Sequence, residues 1–305
     1  MTPNRSLLVI ALVAIGAAWG VTQPLSKIAV SEGYRHFGII FWQLALGAVI
    51  LGVISHARGR PLSLAPRHLV WYALIALLGT LLPNGAGYTA AVHLPSGILS
   101  IVLSTVPMVA FPIALAMGAD RFSAARFAGL CLGLAAILLI ALPEASLPEP
   151  GMVAWLPVAL IAPALYALEG NIVGRYGTGG LDPVSLLYGA SVVGVILSLP
   201  VALATGTFIS PLPPWSLPDL AIVLTALAHA AAYSSYVWLV GQAGAVFAAQ
   251  VSYLVTGFGI VWAKILLGEN YSGWVWAAIA LMFAGLALVQ PRPREGIAEP
   301  REVRG

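Results

Sequence analysis

Long runs without one charged side chain recur along the chain: Ser6–Ser26, Phe37–Ser55, Leu69–Val92, Leu94–Ala119, Phe127–Pro143, Pro150–Leu168, Pro183–Gly206, Leu220–Ala263 and Tyr271–Gln290. A helix that crosses a bilayer needs about 20 predominantly apolar residues, and most of these runs supply them. Leu220–Ala263 is too long for one helix, and Gly241-Gln242-Ala243-Gly244 divides it in two. The expected count is therefore ten transmembrane helices joined by short loops. Only 8% of the 305 residues are charged and 60% are apolar, whereas a soluble domain carries about 25% charged. That balance excludes a water-soluble enzyme. The net charge of +3, with no basic cluster interleaved with aromatics, excludes a nucleic-acid partner. The expected partners are the lipid bilayer and a small-molecule substrate, with a monomer favoured.

The first run follows a single early charge, Arg5, as a signal peptide would. It is long enough to span and no cleavage site follows it, so it reads as the first helix. Cys131, the one cysteine, lies inside an apolar run. It excludes an intrachain disulfide and a Cys-based metal site, and is expected to be a small buried hydrophobe.

Ten spans place both termini on one side. Arg5, Arg58, Arg60, Arg67, Arg121, Arg126, Arg175, Arg292, Arg294, Arg301 and Arg304 all fall on that side, and only Arg35, Lys27 and Lys264 fall toward the other. The positive-inside rule makes the termini cytoplasmic, with the chain multi-pass in the inner (cytoplasmic) membrane. Lys27, at the external end of its helix, is expected to snorkel. Eight of the nine Trp residues sit near helix ends, where the interface favours them. Trp19 lies well inside the first helix.

Gly118-Ala119-Asp120-Arg121-Phe122-Ser123 and Leu267-Gly268-Glu269-Asn270-Tyr271-Ser272 align Asp120 with Glu269 and Ser123 with Ser272. Each block joins two apolar runs, and each Ser suits the N-cap of the following helix. The fold class read from this is an all-α membrane protein, ten transmembrane helices as two inverted five-helix repeats around a central cavity. The first repeat spans residues 1–145 and the second 146–290. A disordered cytoplasmic tail covers 291–305.

Trp19-Gly20 followed by Lys27, the Pro107 helix ending near Asp120, and the ending Gly268-Glu269-Asn270-Tyr271-Ser272 resemble the EamA-type members of the drug/metabolite transporter superfamily. The resemblance covers residues 6 to 290. It departs at Ala119-Asp120, where the family usually shows Gly-Glu, and at Gln43, where many members carry Arg. The resemblance implies a ten-helix secondary transporter, often an exporter of amino acids or similar metabolites. It also implies that helices 5 and 10 are a scaffold and that the other helices surround a cavity.

Polar residues deep in a bilayer usually face a cavity or a partner. At helical spacing, Gly16, Trp19, Gly20, Gln23 and Lys27 share one face; so do Gly97, Ser100, Ser104 and Pro107. Further stripes are Ala162, Tyr166, Glu169 and Gly170, then Thr225, His229, Tyr233 and Tyr236, then Gln250, Tyr253 and Gly257. The substrate-binding candidates are Trp19, Gln23, Asn84, Tyr88, Ser104, Tyr166, Tyr233, Gln250 and Tyr253. Glu169 and His229 are the candidates for proton or ion coupling, with an ion pair to Arg175 as the structural alternative for Glu169. Asn84, between Pro83 and Gly85, marks a locally opened helix. Hinges are expected at Pro24, Pro83, Pro107, Pro112, Pro163 and Pro200. Gly129 and Gly133 form a close-packing step.

Together these features describe a secondary active transporter exporting a small metabolite such as an amino acid by alternating access. A sugar, amine or drug on the same scaffold is the nearest alternative. An intramembrane enzyme is the alternative of another class, but Asp120, Asp182 and Asp219 all lie at helix ends or in loops. No phosphate-binding Gly-x-x-x-x-Gly-Lys run is present, and no cofactor or metal is expected. The chain is read as a non-enzyme.

Overall fold

A computed structural model describes residues 5–142, 146–243 and 250–289. Among them there are helices and turns but no strand. The first five helices are α1 (Ser6–Ser31), α2 (His36–Ala57), α3 (Pro66–His93), α4 (Ser96–Ala116) and α5 (Ala124–Ala141). A 3-10 turn, Pro150–Trp155, leads into α6 (Leu156–Tyr176). The remainder are α7 (Pro183–Ala204), α8 (Leu217–Ala243), α9 (Val251–Leu267) and α10 (Gly273–Leu288). Eight are long and apolar enough to cross a membrane unaided, and α9 and α10, of 17 and 16 residues, are shorter apolar helices. Two helices outrun their uncharged cores: α1 continues past Lys27, and α6 past Glu169 and Arg175. The expected tail, residues 291–305, lies outside the described residues.

Packing forms a ring. α8 packs on α2, α2 on α7, α7 on α3, α3 on α6, α6 on α4, α4 on α9, α9 on α1, and α1 closes it on α8. The α5–α10 pair stands outside, against α4. Exchanging each helix with the one five places along carries this ring onto itself and the α5–α10 pair onto itself. The seams are made close by small residues, as they must be where lipid offers no hydrophobic drive to associate. A Cβ on Gly129 of α5 would lie 2.7 Å from the Gly285 carbonyl of α10, and one on Gly133 would meet Met108. Cys131, between those glycines, points away from both neighbours and is exposed, so the expectation of a buried cysteine is corrected. In a membrane the outward face of a helix is as apolar as the inward one, so an apolar run does not tell them apart.

Three of the six prolines interrupt their helices. Val21 is a turn between two helical segments, three residues before Pro24. Pro83 has no N–H for the carbonyl of residue 79 and its ring crowds it. The backbone of α3 widens into a π-helical turn at Leu77–Leu81 just before it. Before Pro107, α4 breaks at Ser104 and Thr105, whose hydroxyls donate to the carbonyls of Ile101 and Val102. Pro112, Pro163 and Pro200 stay inside continuous helices.

The ends of the bundle are tied by polar contacts. At the end holding the α3–α4 turn, the Lys27 ammonium donates to the carbonyls of Ala91 (2.6 Å) and Val92 (3.2 Å). Lys27 thus caps α3 rather than snorkelling. Opposite it, Glu269 accepts from the backbone N–H groups of Ser96 (2.7 Å) and Gly97 (3.1 Å), the free donors at the start of α4. The Tyr271 hydroxyl donates to the same carboxylate at 2.7 Å. Burial first, then this bond and the Glu269 charge, push the Tyr271 phenol upward. Of the two expected caps, Ser272 accepts from the Val275 N–H, whereas Ser123 takes the N-cap position without a side-chain bond. Glu269→Ala should destabilise the protein in detergent by about 1–2 kcal/mol, the loss of a charged cap across two repeats. Glu269→Gln should cost less, because its amide oxygen still accepts. Thermal unfolding of the two variants checks the order.

At the other end, Asp182 in the α6–α7 turn pairs with Arg58 (3.1 Å) and Arg60 (2.8 Å) beyond α2. Burial pushes its carboxyl up, but the Ser185 hydroxyl and the two guanidinium groups outweigh this and hold it at about 2. The ordinary value is 3.8. The stabilisation is therefore complete above about pH 4 and is lost as the pH falls through about 2. Asp182→Asn should lower the melting temperature at neutral pH and leave it unchanged at the acid limit. Because the arginines are exposed, the neutral-pH effect should be no more than about 1 kcal/mol per pair.

Candidate functional site

A small pocket opens between α1, α3, α4 and α6, with about 460 Å³ of space between its walls when the open solvent at its mouth is included. Gln23 and Ser26 come from α1, and Pro83, Asn84, Gly87, Tyr88 and Ala91 from α3. Leu99 and Leu103 come from α4, and Ala159, Ala162 and Tyr166 from α6. Each of these helices carries a proline near the pocket: Pro24, Pro83, Pro107 and Pro163.

The polar groups form two cross-helix pairs. The Tyr166 hydroxyl donates to Asn84 Oδ1 at 2.9 Å, joining α6 to α3. The Tyr88 hydroxyl donates to Gln43 Oε1 at 2.5 Å, joining α3 to α2. Gln43 Nε2 is buried without a partner among the described residues. Ser26 spends its hydroxyl on the Thr22 carbonyl. Among the described residues, no charged side chain lines the pocket. The site offers amide and phenol groups on an apolar wall.

Four expected binding residues, Gln23, Asn84, Tyr88 and Tyr166, thus meet in one place. Trp19 and Tyr233 meet in another. The Trp19 indole donates to His229 Nδ1 at 3.3 Å, and its ring lies against Tyr233 and Tyr236, on the seam of α1 and α8. With Nδ1 accepting, the neutral imidazole carries its proton on Nε2. Ser104 is buried with its hydroxyl on Ile101. Gln250 is exposed at the start of α9. Tyr253 stacks on Phe283 of α10, with ring centres 6.2 Å apart. These three lie outside the pocket.

Glu169 stands on α6 about one turn beyond Tyr166. The structural alternative, an ion pair with Arg175, is not formed: the Arg175 guanidinium donates to the Met117 carbonyl at 2.5 Å. Ser26, Gln43 and Gly87 were not singled out for the site. Gln43 stood out only as a departure from a helix-2 arginine, and a Gly on a polar helix face carries no signal of its own.

The model of the EamA-like transporter family matches residues 6–142 and 153–290, two copies that together cover nearly the whole chain. No curated protein matches the sequence. The fold is similar to one solved crystal structure with a TM-score of 0.62 at 16% identity, covering 93% of this chain and 96% of that one.

Proposed function

The chain belongs to the EamA-like transporter family, a multi-pass membrane transporter, and we propose that it is a secondary active exporter of a neutral or zwitterionic metabolite such as an amino acid. The observation that carries the substrate reading is the pocket between the two matched segments, lined by Gln23, Asn84, Tyr88 and Tyr166 with no fixed charge. A polyanion such as a nucleotide sugar finds no cation there.

Alternating access is the proposed mechanism. The two matched segments, read as repeats 1–145 and 146–290, have five helices each. An odd number inserts the second copy inverted with respect to the first, and the exchange symmetry of the ring supports that reading. Interruptions in α1, α3 and α4 beside the pocket supply the bends. Arg58, Arg60, Arg67, Arg121, Arg126 and Arg175 gather at one end, which we assign to the cytoplasm of a cell with both termini there. Trp19, Tyr233 and His229 are assigned to the α1–α8 seam that must slide when the pocket changes sides.

Uptake of a labelled amino-acid panel into proteoliposomes of the purified protein, with and without a pH gradient, tests the substrate. Saturable transport of one class is expected. A panel that gives no transport overturns the amino-acid assignment and moves the search to sugars, amines and drugs.

A further inference from the structure

Glu169 is an acid set against bare backbone. Beyond the first turn of α8, where Asp219 sits, it is the one Asp or Glu inside the described membrane helices. Its carboxylate faces Gly79, at the middle of the π-helical turn of α3: a Cβ there would lie 2.7 and 2.8 Å from the two carboxylate oxygens. The proline that widens α3 and the glycine in the widened turn together make the room this carboxylate occupies. Single π turns of this kind occur frequently at functional sites.

No cation answers the charge. Among the described residues, Glu169 has no hydrogen bond or ion pair, and no group of three or more His, Cys, Asp or Glu side chains could hold a metal. Arg175 on the same helix is turned to Met117. The titratable groups that feel the Glu169 charge are two phenols, Tyr166 on α6 and Tyr233 on α8; one step further out, Tyr88 of α3 acts on Tyr166, and Tyr236 and Asp182 act on Tyr233. The π turn and both halves of α4 bring no titratable side chain. His229, across on α8, is committed to the Trp19 indole through Nδ1.

We infer that Glu169, in the opening at Gly79, is the proton site of the transport cycle. An uncompensated charge in a membrane interior is expensive, and intramembrane acids commonly mark proton relays. A proton taken up by the carboxylate removes that charge and its release restores it; no other reactant is needed. The site lies next to the pocket through Tyr166, whose hydroxyl is held by Asn84. Protonation therefore bears on the same α3–α6 contact that a substrate meets. This inference rests on the transporter reading but not on the amino-acid assignment.

The test uses the full chain in detergent and dicyclohexylcarbodiimide, an apolar reagent that modifies protonated carboxyl groups, with the product located by mass spectrometry. Glu169 should be modified at low pH, and the modification should fall about tenfold for each pH unit once the carboxyl has ionised. Failure of Glu169 to react at any pH, or labelling independent of pH, overturns the assignment. In proteoliposomes carrying a transported solute, Glu169→Gln should lose stimulation by a pH gradient and keep solute exchange at equal concentrations, while Glu169→Asp keeps both. Gradient stimulation that survives in Glu169→Gln also overturns it. If no amino acid is transported by the unaltered protein, the substrate reading fails and the labelling result still decides Glu169.

Discussion

Gly87→Trp should abolish transport without unfolding the protein. Gly87 lines the pocket, and a Cβ built on it meets no atom within 4 Å, so a large side chain enters open space rather than a neighbour. An indole there occupies the small space between the pocket walls and separates Asn84 and Tyr88 from any solute. Transport should fall about 100-fold or more, the scale on which small misplacements already act. Stability should hold or rise by up to about 1 kcal/mol, because glycine is the weaker helix former. Gly87→Ala should retain transport. Flux in proteoliposomes with the melting temperature of the same preparations separates the two effects. Normal flux through Gly87→Trp would remove the pocket from the transport path.

Gly20→Leu should have the opposite signature, loss of the folded protein itself. Gly20 faces α9, and a Cβ there would stand 2.8 Å from Phe258 Cβ, 2.9 Å from the Gly259 nitrogen and 3.0 Å from the Val255 carbonyl. Two of these are backbone atoms, which no rotamer change moves aside. The α1–α9 seam joins the two matched segments, and the Trp262 indole adds a bond across it to the Ala17 carbonyl at 3.0 Å. Overpacking costs about 1–3 kcal/mol when side chains give way, and more is expected where backbone is the obstacle. Gly20→Ala should lower the melting temperature measurably. Gly20→Leu should give no monodisperse peak on size exclusion.

These two glycines show what the sequence made legible and what it did not. The ten helices and the half-chain repeat were readable because a charge-free run of spanning length has few other uses, and because Asp120 and Glu269 punctuate the two halves at matching points. Four of the residues that meet in the pocket were readable because a polar group in an apolar run needs a cavity or a partner. Which of the two it has depends on the neighbouring helix. Ser104 turned to its own helix, Tyr253 to Phe283, and Trp19 to His229. Lys27 found the end of α3 instead of the water. Gly20 and Gly87 look alike in the sequence, yet one is pressed against backbone and the other opens on empty space. Cys131 was misplaced for a related reason. In a bilayer, helix periodicity carries no contrast between the packed face and the lipid face.

Glu169 belongs to the same lesson. Its isolation was visible in the sequence, and so was Pro83, which widens α3, but that the widened turn sets Gly79 opposite the carboxylate follows from the packing of α3 on α6 and could not be read from either helix alone.

The most direct measurement is thiol accessibility at the pocket. With Cys131→Ser removing the native thiol, Gly87→Cys places one reactive group on the pocket wall. Labelling by a membrane-impermeant maleimide is then measured from each side of oriented vesicles. A pocket that opens alternately to the two faces predicts labelling from both sides, with protection from both by a transported solute. A thiol that reacts from neither side, or from one side only under every condition, would contradict the account.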